Sequence, residues 1–386
     1  MDFVIIANAW AAAQDNPTSK HQIALELLRQ GHRVLWVEGA GMRSPNLGSG
    51  ADRGRIVRKI GAASRGARRD AEASPWVLSP LLIPLPALAW ARKLNAAIYR
   101  RSARKWSRRL SFVDPVMINY VPVLAGVMQP WPGRVVYHCV DRWDQFEMYD
   151  TRLMQEMDAA CRGYADVVIA SSKDLYIHCQ SDHTNVHLIN HGVSYEHFAR
   201  ALEPGDGPGP FAHHGKRVIG FFGLLSEWVD QALLIALARA CDDAELVLIG
   251  SADVDVSALH AEPNITILGP RPFTDLPEYV AHFDVGIIPF VVNELTRAVN
   301  PIKLREMLAA GCPVVSTDLP EVERYGTVTD GAAQIACSHD DFIAAVRRLL
   351  GETPDREAIS ETMKDETWRS KVDELIAVIM DRQESA

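Results

Sequence analysis

The sequence has few cysteines, and their spacing argues against both a disulfide framework and a metal site. The six cysteines lie far apart, without a Cys-x-x-Cys pair or a histidine at zinc-binding spacing, at positions 139, 161, 179, 241, 312 and 337. Such spacing is typical of reduced, buried thiols in a cytosolic protein. An Asp-x-Asp at 253–255 suits an ordinary helix start, and a His-His pair at 213–214 lacks a third ligand. We therefore expect no metal site.

Long hydrophobic runs are also missing. The longest, WVLSPLLIPLPALAW at 76–90, is too short for a membrane span and is interrupted by prolines. The first residues, MDFVIIANAW, enter a strand pattern directly and lack the basic segment of a signal peptide. We therefore expect a cytoplasmic protein that meets a membrane only as a peripheral protein, at its inner face.

Three motifs of nucleotide and acyl chemistry are absent as well. After the first strand of each predicted domain, a dinucleotide fold needs Gly-x-Gly-x-x-Gly. The first domain instead has ANAWAAAQDNPTSKH, and the second has FFGLLSEWVD with the single Gly223. There is no Walker phosphate loop and no Gly-x-Ser-x-Gly turn. These absences argue against a dehydrogenase, a P-loop nucleotide hydrolase and a serine hydrolase.

Acidic residues are scarce in the first half of the chain. Residues 1–200 contain 25 Lys and Arg against 18 Asp and Glu, a net charge of +7, whereas residues 201–386 have a net charge of −16. The basic excess lies in RGRIVRKIGAASRGARR (53–69) and RKLNAAIYRRSARKWSRR (92–109). This asymmetry predicts contact with an anionic surface.

An anionic membrane surface fits these segments better than nucleic acid does. No nucleic-acid-binding motif is present, and the rest of the chain is acidic. The second basic segment has a helical pattern and interleaves Trp90, Tyr99 and Trp106 with its cations, which favours a membrane surface. A solvated helical face explains the same pattern, so both interpretations stay open.

Strand and helix patterns alternate along the 386 residues, a length sufficient for two domains. Apolar runs such as FVIIANA, RVVYHCVD, RVIGFFG and CPVVSTD are separated by longer helical patterns, which predicts parallel α/β sheets. The predicted limits are a first Rossmann-like domain at 1–200, a Gly- and Pro-rich linker at 201–215, a second Rossmann-like domain at 216–365 and a C-terminal amphipathic helix at 366–386. We expect the two domains to face each other across a cleft, with ligands at the carboxyl ends of the strands.

The stretch RAVNPIKLREMLAAGCPVVSTDLPEV (297–322) predicts a helix start, a tight turn and a buried strand. Asn is favoured as a helix cap and Pro at the first helical position, so Asn300 and Pro301 mark the start. The free N–H groups and dipole of a helix start suit a phosphate, and Lys303 adds a full positive charge. Glu306 lies on the same face and could hold hydroxyl groups. An ordinary surface ion pair is the alternative interpretation.

Several motifs resemble, in the right order, those of glycosyltransferases with two Rossmann-like domains (GT-B), in particular the family 4-like bacterial enzymes of polysaccharide assembly. They are VIGFFGLLSEWVD, LIGS, NITILGPRPFTDLPEYVAHFDVGIIPF and NPIKLREMLAAGCPVVSTDLPEV, with INHGVSYEHF (189–198) before the linker. The nearest subgroup is the teichuronic-acid glycosyltransferase type, and the xanthan glucuronosyltransferase is more distantly similar. The resemblance implies that the second domain binds a nucleotide-sugar donor and the first domain an acceptor.

The resemblance also implies roles at the donor site. Glu306 matches the carboxylate that holds the ribose hydroxyls, and Lys303 faces the diphosphate together with the backbone of the helix start. LGPRPF (268–273) matches the loop that reads the base and suits uracil, and Gly223 permits close approach of the donor. The acids after Gly223 would contact donor-sugar hydroxyls or, alternatively, begin a helix. The predicted donor-binding residues are Gly223, Glu227, Asp230, Arg271, Pro272, Arg297, Asn300, Pro301, Ile302, Lys303 and Glu306.

The sequence departs from the family pattern at two places. Many members carry an Arg and a Lys for the pyrophosphate, where this chain has Leu224 and Trp228. The first acid of the family's Glu-x7-Glu pair is replaced by Ala298. Neutralisation of the leaving group is therefore expected from Lys303 and Arg297, and the motif does not imply a retaining mechanism.

The catalytic base is expected at a strand end of the first domain, since an inverting transfer needs a base for the acceptor hydroxyl. Asp141 directly follows the strand pattern VVYHCVD, and the similar position of the xanthan glucuronosyltransferase is an aspartate that serves as base. Capping of the next helix and acceptor binding are the alternatives for Asp141. Asp144 is the second choice as base. His21 is another candidate, as a base or as a group that holds a hydroxyl, with a surface-facing first-turn histidine as its alternative. The predicted acceptor-binding residues are Asn8, Trp10, Lys20 and Asp144.

These features together predict a metal-independent hexosyltransferase that uses a nucleotide-sugar donor, most simply a UDP-sugar, and no further cofactor. The acceptor would be a lipid-linked saccharide or another cell-envelope intermediate. A UDP-sugar epimerase or a pyridoxal-dependent phosphorylase of the same fold is an alternative, and the basic aromatic helix argues against the epimerase. A non-catalytic sugar-nucleotide scaffold is a further alternative, favoured by the departures at 224, 228 and 298.

Overall fold

The computed structural model describes residues 1–10, 16–39, 66–83, 85–203, 211 and 215–381. Its contacts divide the chain into two compact units, each described here by itself. The first comprises Met1–Ala13, Pro17–Asn190 and Val372–Ala386, and the second comprises Gln14–Asn16 and His191–Lys371. Most of the basic segment at 53–69 and of the linker at 201–215 lies outside the described residues.

The first unit is built on a seven-stranded parallel sheet in the order β3-β2-β1-β4-β5-β6-β7. Its strands read as continuous apolar runs because helices cover both faces of such a sheet. The strands are β1 (Asp2–Ala7), β2 (Arg33–Glu38), β3 (Trp76–Leu78), β4 (Val116–Asn119), β5 (Val135–Cys139), β6 (Val167–Ala170) and β7 (Val186–Leu188). The helices are α1 (Ser19–Arg29), α2 (Ala89–Arg109), α3 (Thr151–Tyr164) and α4 (Lys173–Gln180), with 3-10 turns at Pro122–Val127 and Trp143–Gln145.

The second unit is built on a six-stranded parallel sheet in the order β10-β9-β8-β11-β12-β13. Its strands are β8 (Arg217–Phe222), β9 (Ala244–Ile249), β10 (Ile265–Gly269), β11 (Val285–Ile288), β12 (Val314–Thr317) and β13 (Ala333–Ala336). The first helices are α5 (Tyr195–Ala199), α6 (Gln231–Ala240), α7 (Ser257–His260), α8 (Leu276–Val280) and α9 (Glu294–Arg297), with 3-10 turns at Arg200–Leu202 and Phe273–Asp275. The later helices are α10 (Ile302–Ala309), α11 (Pro320–Val328), α12 (His339–Leu350), α13 (Arg356–Glu361) and α14 (Trp368–Met380).

The order of strands reverses once in each sheet, between β1 and β4 and between β8 and β11. At such a point the connections leave towards opposite faces, which opens a crevice at the carboxyl ends of the strands where ligands bind. In the first unit, Lys20 begins the helix after β1, and Tyr120 directly follows β4. In the second, Gly223 directly follows β8, and Lys303 lies in α10, which follows β11 and the short helix α9. Both predicted ligand sites therefore coincide with switch points.

The predicted parallel α/β architecture is confirmed, and each predicted strand is present. Strand β3 was not predicted, because three residues at the edge of a sheet carry too little pattern to stand out. The contacts place residues 191–200 with the second unit, and α14 begins in the second unit and ends in the first. The domain limits and the cleft expected from the sequence stay predictions.

Helix α2 carries the described part of the predicted basic surface, but its aromatic residues differ from expectation. Tyr99 is fully buried, and its hydroxyl donates to the Glu38 carbonyl at 2.5 Å. Trp106 is half-buried, with the Arg109 guanidinium 5.0 Å from its ring centre. Of these three aromatic residues, Trp90 is the one that is exposed as expected, at 56%. The others are buried or half-buried because one stripe of the helix packs on the sheet. Within the described residues, no helix has both the length and the apolarity that crossing a membrane requires.

Two glycines allow close approach at the carboxyl edge of the second sheet. Gly223 has φ +141°, and a Cβ atom there would lie 2.6 Å from Lys303 Nζ. Gly250, after β9, has φ +149°, and a Cβ atom there would overlap the Gly223 carbonyl. Side chains rarely adopt such φ angles, so the backbone conformation favours glycine at both positions, and the neighbouring backbone also leaves no space for a side chain at Gly250.

Replacing Gly223 by alanine should destabilise the protein by about 3 kcal/mol, because a steric clash with Lys303 adds to the backbone strain. Gly331→Ala is the matched control, since Gly331 has φ +85° but open space around its Cα, and its cost should be about 1 kcal/mol. Urea unfolding of both variants measures the difference. Equal losses would show that neither the φ of +141° at Gly223 nor the displacement of Lys303 adds to the ordinary cost of a positive φ.

Candidate functional site

Lys303 is the centre of the candidate site in the second unit. It lies in the first turn of α10, at the carboxyl edge of the sheet. Its half-buried ammonium lies 4.9 Å from the ring centre of Phe221 and 5.0 Å from that of Phe290. Burial lowers the pKa of Lys303 to about 8, although the nearby charge of Glu306 opposes this shift. Among the described residues, no carboxylate forms an ion pair with Lys303.

Glu306 lies one turn further along the same face and is also half-buried. Burial raises the pKa of Glu306 to about 7, although Lys303 and Arg305 oppose this shift. The two side chains are thus not the exposed surface ion pair that was the alternative interpretation. A carboxylate in this position can accept hydrogen bonds from hydroxyl groups, and the ammonium can donate to a charged oxygen.

The start of α10 differs from the prediction in one respect. The helix begins at Ile302, with Pro301 in the capping position and no side-chain cap. The Asn300 side chain is buried, accepts a hydrogen bond from Arg305 Nη1 at 2.6 Å and donates one to Glu321 at 3.0 Å. The prediction that Asn300 caps the helix is therefore wrong, because buried partners elsewhere in the fold engage its side chain. The first N–H groups of α10 are left without a side-chain acceptor at the cap.

Arg305 supports this helix start and was not singled out in the sequence. Its side chain is fully buried, with the guanidinium 5.1 Å from the Tyr325 ring centre and Nε 3.8 Å from a Glu366 oxygen. Together with its hydrogen bond to Asn300, these contacts fix the first turn of α10. The sequence carries no signal for this role, because an arginine in an amphipathic helix is usually exposed.

The two acids predicted after Gly223 have different surroundings. Asp230 caps α6 by accepting a hydrogen bond from the Leu233 N–H at 2.8 Å, and His339 Nε2 lies 2.8 Å from its other oxygen. Asp230 therefore has the helix-start role that was its alternative. Glu227 is exposed in the loop before α6. Contacts of either residue with a donor sugar stay predictions.

The remaining predicted donor-binding residues are exposed around the strand ends. Arg271 and Pro272 follow β10, and the Arg271 guanidinium lies 5.8 Å from the Tyr279 ring centre. Arg297 is exposed at the end of α9, and the next residue, Ala298, is buried.

Asp141 is the sequence-predicted base, and it lies two residues after β5 with a half-buried carboxyl group. Burial raises the pKa of Asp141 to about 6, although Lys20 opposes this shift. The next turn, Trp143–Gln145, has Arg142 in its capping position and no side-chain cap, so Asp141 does not cap it. No donor among the described residues hydrogen-bonds the Asp141 carboxylate. A raised pKa and a carboxylate without structural partners both suit a general base.

Asp144, predicted to bind the acceptor, is held by neighbouring side chains, and its contact with an acceptor stays a prediction. Arg142 donates to its two oxygens at 3.0 and 3.1 Å, and Gln145 and Gln155 donate at 3.1 and 3.3 Å. Burial acts to raise the pKa of Asp144, but these hydrogen bonds outweigh it and hold the pKa at about 2. Its observed contacts position the turn after β5.

His21 is fully buried, so its surface-facing alternative is wrong. Its Nδ1 accepts a hydrogen bond from the Thr18 N–H at 3.1 Å, and its Nε2 lies 3.1 Å from the Ala9 carbonyl oxygen. Its ring stacks on Trp36, with 5.0 Å between centroids, and burial lowers its pKa to about 4. Because neighbours engage both ring nitrogens, Asp141 is the better placed base, and a catalytic role for His21 stays a prediction.

The other two predicted acceptor residues lie at the end of β1. Trp10 is 8% exposed, and its ring meets the His21 ring edge to face. The backbone N–H of Trp10 donates a hydrogen bond to Glu38 Oε1 at 3.0 Å. Asn8 is exposed, and its backbone carbonyl accepts a hydrogen bond from Trp36 Nε1 at 2.9 Å. Buried packing thus accounts for Trp10, whereas the Asn8 side chain faces outward.

In the first unit, the fold brings two of the predicted residues near each other. Lys20 and Asp141 are close enough for the charge of each to act on the other. Sequence analysis did not single out Tyr120, His138 or Trp143, which surround them. In the described ranges of the chain, no group of three or more His, Cys, Asp or Glu residues could hold a metal ion.

Comparisons with known proteins show what this chain is similar to. Residues 216–352 match the family of glycosyl transferases group 1. A Bacillus subtilis (strain 168) protein, named as the teichuronic acid biosynthesis glycosyltransferase TuaH, is 29% identical over 256 residues, which are 61% of this chain and 62% of that protein. The match therefore spans less than two thirds of this relative.

Solved structures share the fold over nearly the whole chain. Anabaena Alr3699/HepE in complex with UDP matches with a TM-score of 0.65 and 14% identity, over 98% of this chain and 99% of that one. Sucrose-phosphate synthase from Thermosynechococcus elongatus matches with a TM-score of 0.65 and 13% identity, over 98% and 97%. Residues 216–352 therefore carry a glycosyl transferases group 1 domain, and the chain shares the GT-B fold of two Rossmann-like domains with these solved structures.

Proposed function

We propose that the protein is a glycosyltransferase that moves a hexose from a UDP-sugar to a saccharide acceptor. The observation that carries the proposal is the combination of Lys303 and Glu306 at the switch point of the second sheet. There, a half-buried ammonium that has no ion pair among the described residues shares a helix face with a half-buried carboxylate. The match of this domain to group 1 transferases, and the UDP in the Alr3699/HepE structure, support it.

In this proposal the donor diphosphate lies against the start of α10. Lys303 donates to one charged oxygen, and the free N–H groups of the helix start donate to others. Glu306 accepts hydrogen bonds from the ribose hydroxyls, while the loop with Arg271 and Pro272 reads the uracil base. Because Gly223 has no side chain, the protein backbone at this turn can approach the donor closely. Side chains and helix N–H groups neutralise the leaving group, so this mechanism requires no metal ion and no other cofactor.

In the proposed transfer step, Asp141 is the general base. Its carboxylate takes the proton from the acceptor hydroxyl as that oxygen attacks the anomeric carbon. The bond between the anomeric carbon and the diphosphate oxygen breaks, and its electron pair leaves with UDP. Lys303 and the exposed Arg297 stabilise the charge that develops on the leaving group. Attack from the face opposite the leaving group inverts the anomeric configuration.

The acceptor is proposed to be a lipid-linked saccharide or another cell-envelope intermediate at the inner face of a membrane. The relative named for teichuronic acid biosynthesis supports an envelope polymer. Residues 73–113 contain eight Lys and Arg and no Asp or Glu. Near the start of α2, four large apolar side chains are 42–56% exposed: Leu81, Leu88, Trp90 and Leu94. Exposed apolar groups next to a cationic helix suit an anionic bilayer surface.

Replacing Lys303 by alanine should weaken UDP binding by about 1.5–3 kcal/mol, the scale of a hydrogen bond to a charged group. Isothermal titration calorimetry with UDP measures the loss. Lys364→Ala is the control, since Lys364 is exposed in the same unit and pairs with Glu361. Unchanged UDP affinity in the Lys303 variant would contradict the diphosphate role.

Replacing Asp141 by asparagine should lower turnover by about 10²–10⁴-fold, the usual contribution of a general base, and should leave UDP affinity unchanged. Turnover is measured as UDP release from a panel of UDP-hexoses in the presence of a bacterial lipid extract. Asp174→Asn, at an exposed carboxylate of the same unit, is the control. UDP binding without turnover on any donor of the panel would favour the scaffold alternative.

The pH profile provides a further readout for the same variant. At saturating donor, the wild-type kcat/KM for acceptor should fall about tenfold per pH unit as the pH drops below about 6. The sign follows because burial raises the pKa of Asp141 to about 6 and only the ionised carboxylate accepts a proton. In the Asp141→Asn variant, kcat/KM should no longer fall below about pH 6. If the fall persists unchanged, it is caused by the titration of a group other than Asp141.

Replacing Trp90 and Leu94 together by serine should weaken binding to phosphatidylglycerol vesicles by about tenfold or more, since each buried side chain contributes about 1.5–3 kcal/mol. Co-sedimentation at low salt measures the partitioning. Ile177→Ser is the control, since Ile177 is 60% exposed on the helix α4. Equal partitioning of the double variant and the control would argue against a membrane contact at this surface.

A further inference from the structure

Lys20 in the first unit repeats the arrangement of Lys303 in the second. It is the second residue of α1, at the switch point between β1 and β4. Its half-buried ammonium lies 5.1 Å from the Trp143 ring centre and 5.9 Å from that of Tyr120. Among the described residues, no carboxylate forms an ion pair with it, and Asp141 is the acid whose charge acts on it. A second half-buried ammonium thus lies over aromatic rings at a ligand-binding edge.

Two buried side chains beside Lys20 have nitrogen atoms without hydrogen-bond partners among the described residues. His138 on β5 is 2% exposed, with Nδ1 3.1 Å from the Tyr120 hydroxyl, and its Nε2 has no partner in the described part of the chain. Trp143 is 7% exposed, and its Nε1–H finds no acceptor among the residues that the structure describes. Buried polar atoms almost always have a partner, so two orphaned nitrogens beside one lysine indicate a site that a ligand or water completes.

The charges of this group are incomplete without a ligand. Asp144 is held by Arg142 and so does not compensate Lys20. His138 is neutral, because burial lowers its pKa to about 3. Asp141 therefore supplies the negative charge that acts on Lys20, and it loses that charge when it takes a proton from an acceptor. The ammonium would then lack a compensating charge from the described residues in a low-dielectric site, which is costly.

We propose that this site binds an acceptor whose reactive hydroxyl lies beside an anionic group, either a phosphate or a carboxylate. The inference rests on the proposed function and names the chemical class of its acceptor. Lys20 binds an anionic oxygen, and the Trp143 Nε1–H donates to another acceptor oxygen. Asp141 takes the proton of the neighbouring hydroxyl, and the anionic group keeps Lys20 compensated after that transfer.

A different role for Lys20 would be to lower the pKa of Asp141 without touching the acceptor. The two roles differ in what the lysine does for binding. A lysine that acts only on Asp141 should not make the first unit prefer charged ligands over neutral ones. A lysine that binds an anionic group should produce that preference even when no reaction takes place.

The test compares the binding of glucose, galacturonate and glucose 6-phosphate by ligand-observed NMR in the presence of saturating UDP, which occupies the proposed donor site. The carboxylate and phosphate probes separate the two sources of negative charge. The variants are Lys20→Met, which removes the charge, and Lys20→Arg, which keeps it. Lys173→Met is the control, because Lys173 also begins a helix after a strand in the same unit.

At least one anionic probe should bind wild type about tenfold more tightly than glucose, the effect of one charge-assisted hydrogen bond. Lys20→Met should abolish this preference, Lys20→Arg should retain part of it, and Lys173→Met should keep it. Similar binding of all three probes, no binding by any of them, or a preference that persists in Lys20→Met would overturn the inference.

A UDP-induced thermal shift in each variant shows that the protein is folded and that the donor site is intact. If UDP does not bind even wild type, the proposed function fails. The preference for anionic probes is then measured without UDP. The Lys303→Met variant is included in that measurement to exclude binding of the anionic probes at Lys303. The two failures are therefore distinguishable.

Discussion

The candidate site depends on a half-buried lysine that has no ion pair in the described part of the chain. Removing an ammonium from water is costly, and the faces of Phe221 and Phe290 replace only part of the lost hydration of Lys303. The lowered pKa of about 8 reflects the cost that remains. Gly223 is part of the same constraint, because any larger residue would occupy the space of the ammonium. A charged ligand oxygen would restore the missing interaction, so the energetic cost of this arrangement favours anion binding.

The first unit uses the same physical plan at its own switch point. Lys20 lies over Tyr120 and Trp143, and a half-buried acid, Asp141, acts on it from beyond ion-pair distance. In both units the lysine begins a helix at the edge where the order of strands reverses. Such an edge collects helix starts and loop side chains, whereas the strands below it are fully packed. The sheet thus determines where a lysine can stay charged and yet be partly removed from water.

Local hydrogen-bond donors decide what each aspartate near these sites does. Asp144 receives four hydrogen bonds from Arg142 and two glutamines, and its pKa falls to about 2. Asp230 caps a helix and contacts a histidine. Asp141 has no such donors in the described part of the chain, so burial dominates and raises its pKa to about 6. Of these three acids, Asp141 combines partial burial with a carboxylate free of structural partners, as a general base requires.

The sequence by itself determined the two parallel α/β sheets and the shared face of Lys303 and Glu306, since both depend on spacing along the chain. Strand β3 escaped prediction because three residues are too few to show a pattern. The roles of His21 and Asn300 were decided only by the tertiary structure. His21 is buried by Ala9 and Trp36, and Asn300 is engaged by Glu321. Periodicity specifies which face of an element a residue occupies, but the partner on that face comes from a distant segment and emerges only when the chain folds.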